Sequence, residues 1–108
     1  MPEPKKSRRT MLEEFVANKP DDAFARYGLA MECMNSGDAH AADEHFRALM
    51  QTNADYVPAY LMYAQFLVRE SRGDDARDVL SAGISAADRK GDPHARSEME
   101  TLLTQIRD

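Results

Sequence analysis

The chain has 108 residues, 43% of them hydrophobic and 31% charged, with a formal net charge of −5. That size and balance fit a globular domain and exclude a disordered chain, and the acidity makes nucleic acid an unsuitable partner. A single cysteine excludes an intrachain disulfide, and no apolar run reaches the roughly 18–20 residues of a membrane span or follows the N-terminal basic residues as a signal peptide would, which leaves the cytoplasm as the default location.

Seven methionines, no tryptophan and few β-branched residues favour helices over strands. Residues 1–8 read as a flexible basic tail, with contact to nucleic acid or anionic lipid as the alternative for the run Lys5, Lys6, Ser7, Arg8 and Arg9. A first helix is expected near Arg8 to Asn18, with Leu12, Phe15 and Val16 at helical spacing. Pro20 closes it, and Asp21 or Asp22 can cap a second helix from Asp22 to Asn35. Gly37 suits a left-handed turn before a third helix, Ala39 to Thr52, which carries Ala42, Phe46, Leu49 and Met50. A fourth helix runs from Val57 to Glu70 with Pro58 in its first turn. Ser71 to Asp74 read as a turn, followed by a fifth helix from Asp75 to Lys90 that buries Ala76, Val79, Leu80 and Ile84. Asp92 caps a sixth helix starting at Pro93, whose stripe is Met99, Leu102, Leu103 and Ile106. Six helices with short connections pack as antiparallel hairpins.

Shifting the chain by 34 residues brings like onto like. Ala30 falls on Ala64, Ala42 on Ala76, Leu29 on Tyr63, Cys33 on Leu67, Phe46 on Leu80 and Met50 on Ile84. Small residues recur where two helices must approach closely, and large apolar ones recur beside them. The pattern Leu29-Ala30, Cys33, Ala42-x-x-x-Phe46, repeated as Tyr60, Tyr63-Ala64, Leu67, Ala76-x-x-x-Leu80, resembles the tetratricopeptide repeat family. Leu12 and Pro20 match the end of a preceding repeat. Arg26 stands at the family's first large aromatic position, Ala54 replaces its closing proline, and Gly83 replaces a usual alanine.

The resemblance implies an all-α fold in which helical hairpins stack as a short right-handed α-solenoid. Residues 9–108 would form one domain: a half repeat at 9–22, repeats at 23–56 and 57–90, and a capping helix at 92–107. It also implies that a second stripe on the first helix of each repeat lines a concave groove for peptides. Here that stripe is Phe24, Tyr27, Met31 and Met34, continued by Leu61, Gln65 and Val68. Aromatic and Met side chains there suit an apolar peptide or helix, and the scarcity of Lys and Arg argues against a carboxylate clamp. The expected role is a protein–protein interaction module, an adaptor or scaffold. The alternative is a self-associating scaffold that buries the same groove in a homodimer.

Other constellations read as surface or core. His40 and Glu44 share a helix face but His45 diverges from them, and no metal-binding signature accompanies them. His94 sits in a helix first turn, and Cys33 reads as a small core residue. The carboxylates fall in caps and on polar faces, so neither catalytic residues, metal nor cofactor is expected.

Overall fold

The computed structural model describes residues 7–106. These form six α-helices: α1 (Arg8–Asn18), α2 (Ala23–Asn35), α3 (Ala39–Thr52), α4 (Val57–Arg69), α5 (Gly73–Lys90) and α6 (Pro93–Gln105). They divide into two compact units at Thr52 and Asn53. In the first, α2 pairs with α3 and α1 packs on α2; in the second, α4 pairs with α5 and α6 packs on both.

Local chemistry sets the boundaries. Ser7 Oγ accepts from the Thr10 N–H (3.1 Å), which starts α1 at the end of the stretch expected to be tail. The remainder of that basic run, Lys5 and Lys6, lies outside the described residues. Asp22, Asp38 and Asp92 accept from Ala25, Ala41 and Ala95 respectively at 2.9–3.1 Å, capping α2, α3 and α6. Pro93 opens α6, where its missing N–H breaks no helical bond.

Three helices end in the same turn. The N–H of Asp38 reaches back to the Cys33 carbonyl (2.9 Å), that of Arg72 to Leu67 (2.8 Å) and that of Asp92 to Ala87 (2.9 Å). Inside each lies a bond that spans only three residues, from the N–H of Gly37 to the Met34 carbonyl, of Ser71 to Val68 and of Gly91 to Asp88. This is the Schellman arrangement, which requires a left-handed residue one place after the cap. Gly37 (φ 82°) and Gly91 (φ 66°) meet that need without a Cβ penalty, and Ser71 (φ 61°) adopts it despite one. The turn also explains why α5 begins at Gly73, two residues before the expected Asp75. The turn closes at Arg72, and Asp74 and Asp75 then fall in the first helical turn, where carboxylates complement the helix dipole.

The core follows the 34-residue spacing. Leu29, Ala30, Cys33, Ala42, Phe46 and Leu49 are fully buried in the first unit, as are Ala59, Ala64, Leu67, Ala76, Leu80, Ala86, Ala87 and Met99 in the second. Val79 and Ile84, expected to be buried, are half-buried, and so are Leu102, Leu103 and Ile106 of α6, where Met99 alone is sequestered. Phe66, outside the expected stripe, is buried instead, and its ring lies 6.2 Å from that of Tyr63. Gly83 is buried against two helices. A Cβ there would sit 2.6 Å from Tyr60 Cβ of α4 and 2.5 Å from the Met99 sulfur of α6. The alanine usual at this position cannot fit without displacing the α4 contact.

A candidate peptide-docking face

The described residues carry three exposed large hydrophobics: Phe24 at 77%, Met11 at 53% and Phe15 at 44%. All three line one cleft of about 710 Å³ between α1 and α2. Its floor and walls are Met11, Leu12 and Phe15 from α1 with Phe24, Tyr27, Gly28 and Met31 from α2. Gly28 keeps the floor low, since a Cβ there would already touch Leu12 Cδ2 at 3.6 Å. Arg8 and Glu32 pair across one end at 3.3 Å, and Asp22 stands at the other.

Three of the expected groove residues, Phe24, Tyr27 and Met31, therefore meet in this cleft, while Met34 is half-buried on α2 outside its lining. In the second unit, Leu61 and Gln65 line a smaller cleft of about 300 Å³ with His94, Ser97, Glu98, Thr101, Leu102 and Gln105 of α6. Val68 is half-buried on α4 and lines neither cleft. Sequence reasoning passed over Met11 altogether and placed Phe15 in a core-facing pattern. The signal was present in the 34-residue shift, which sets Met11 and Phe15 on His45 and Leu49 of a helix that has a hairpin partner.

The polar groups near this face are structural. Arg9 pairs with Asp38 (3.0 Å) and ties the start of α1 to the α2–α3 turn. The Ala41 N–H and the Arg9 guanidinium hold the Asp38 carboxyl below the usual carboxylate range. Burial pushes the Cys33 thiol up, which leaves it a protonated core side chain. His40 and His94 are exposed and pair with Glu44 (2.6 Å) and Glu98 (2.8 Å) on their own helices. His45 differs. It is half-buried with Nδ1 3.5 Å from Arg26 Nη1, and burial and that cation lower its pKa. Among the described residues no three His, Cys, Asp or Glu side chains group as a metal site, and no helix is long and apolar enough to cross a membrane.

Known proteins share this arrangement. The sequence model of the tetratricopeptide repeat family matches residues 34–106. A TPR repeat-containing protein of Pseudomonas aeruginosa is 29% identical over 97 residues, 88% of this chain and 90% of that one. A tetratricopeptide repeat domain protein from Salinibacter ruber, solved in solution, superposes with a TM-score of 0.77 at 33% identity, covering 82% of this chain and 89% of its own. A Bordetella parapertussis protein shares the fold alone, with a TM-score of 0.78 at 22% identity over 94% of this chain and 89% of its own. With two 34-residue hairpins, the repeat's small and large core positions in place and a family match over most of its length, the chain belongs to the tetratricopeptide repeat family.

Proposed function

We propose that this chain is a protein–protein interaction module that takes an apolar peptide or helix on the second stripe of α2 (Phe24, Tyr27, Met31 and Met34); Leu61, Gln65 and Val68 hold the matching positions of α4. The family's fold generally mediates protein–protein interaction and is generally not enzymatic. The observation that carries the reading is Phe24, a large aromatic 77% exposed at the mouth of an apolar cleft. A solvated phenylalanine stabilises nothing in the isolated chain, whereas on a partner its area is recovered. Met31 beside it adapts to an irregular ligand surface.

Panning a phage-displayed library of 15-residue peptides against the full chain tests this. Selected peptides should carry apolar and aromatic residues and lose at least tenfold in affinity for Met31→Glu, with helicity by circular dichroism unchanged. Equal binding to Met31→Glu would sink the assignment. If Met31→Glu unfolds, the more exposed Phe24→Glu gives the same comparison.

A further inference from the structure

The α1 face that opens into the cleft has two counterparts in the same chain. Shifted by 34 and 68 residues, Arg8 falls on Ala42 and Ala76, Met11 on His45 and Val79, Leu12 on Phe46 and Leu80, and Phe15 on Leu49 and Gly83. The counterparts on α3 and α5 are all buried or half-buried. They form the hairpin face: His45 meets Arg26 of α2, and Gly83 meets Tyr60 of α4. On α1 the same positions are the exposed Met11 and Phe15, and no helix precedes α1 among the described residues. The chain thus shows twice what covers such a face: an antiparallel helix of 13 residues.

We propose that the α1–α2 cleft is a vacant hairpin position, filled by an amphipathic helix of a partner polypeptide that runs antiparallel to α1 and completes its hairpin. This rests on the interaction-module reading and adds the conformation, direction and side-chain pattern of the ligand. The chain's own hairpins fix the direction, since α2 on α3 and α4 on α5 are joined by short turns and run antiparallel. In that orientation the helix ends where Arg8 pairs with Glu32 and begins where Asp22 caps α2. Gly83 leaves room for the Tyr60 ring, and Phe15 fills the equivalent room on α1, so a helix docked as α4 docks on α5 has no space for a ring at the Tyr60 position.

The probe is a fluorescein-labelled peptide with the sequence of residues 55–70 carrying Tyr60→Ala, which keeps the inner face of α4 and ends in Glu70. Fluorescence anisotropy with the full chain should show saturable binding. Phe15→Glu should weaken it at least tenfold, and Ser85→Glu, at an exposed position of α5, should change it less than twofold. Met11→Glu, at a more exposed position, replaces Phe15→Glu if that variant loses helicity. No binding, or equal loss in Ser85→Glu and Phe15→Glu, overturns the proposal. So does a dimer by light scattering that Phe15→Glu dissociates, because a second copy then occupies the cleft. Library-selected peptides that are blocked by Met31→Glu but still bind Phe15→Glu would leave the interaction module standing while removing the vacant hairpin.

Discussion

The hairpins α2–α3 and α4–α5 hold equivalent positions with different chemistry. In α4–α5, Tyr60 is buried and its hydroxyl donates to the Ala54 carbonyl at 2.6 Å, tethering the helix to the loop before it. Thirty-four residues earlier, Arg26 stands in place of Tyr60 and Pro20 in place of Ala54, and Arg26 Nη2 donates to the Pro20 carbonyl at 3.4 Å. The tether survives the change from ring to guanidinium but is longer, and Arg26 Nε is buried without a hydrogen-bond partner. Residues facing this position on the second helix change in step: Gly83 opposite the ring of Tyr60, and Leu49 at the corresponding place in α3. At this position the repeat therefore keeps a carbonyl contact rather than a residue type.

The sharpest way to break this comparison is Gly83→Ala. The added methyl meets Tyr60 Cβ at 2.6 Å, which is not a flexible chain end, so a loss of about 1–3 kcal/mol is expected in urea unfolding. Full stability in Gly83→Ala would mean that α4 and α5 do not approach as described. A gain is expected from Ser71→Gly. Ser71 occupies the left-handed place that glycine holds at Gly37, and relieving it should stabilise by up to about 1 kcal/mol. The reverse exchange, Gly37→Ser, should cost a similar amount, and failure of both would show that the two turns are not equivalent.

The smallest effect is expected at His45. Its folded pKa is lowered, so the unfolded chain binds the proton more readily. Stability is complete above the ordinary histidine value near ~6.5 and falls as the pH drops below it towards the lower folded value. Comparing urea midpoints at pH 7 and 5.5 should show a loss that His45→Gln, which keeps an acceptor for Arg26, removes. An identical pH response in His45→Gln would place the titration elsewhere. No such loss has a counterpart in the second unit, where Val79 holds the equivalent position.

Helix locations were legible because the punctuation is strong: Pro20, Asp22, Gly37, Asp38, Gly91 and Asp92 all act at the boundaries they suggest. The α5 start was not, because Arg72 occupies the place of Asp38 and caps through no side-chain bond to the backbone. Gly83 read as a departure from the family pattern, since the reason for it lies on two other helices, Tyr60 in α4 and Met99 in α6. On the candidate face, periodicity marked the second stripe of α2. It cannot show whether a stripe is covered, so the contribution of α1 became visible only once Met11 and Phe15 were seen exposed.

Cys33 gives the first unit a clock. Its thiol is completely sequestered among core side chains, and burial holds it in the protonated, unreactive form. The chain has no other cysteine. An alkylating reagent therefore reacts only when α2 separates from its neighbours, and the labelling rate counts those openings. A partner that settles against α2 would slow that count without touching the sulfur.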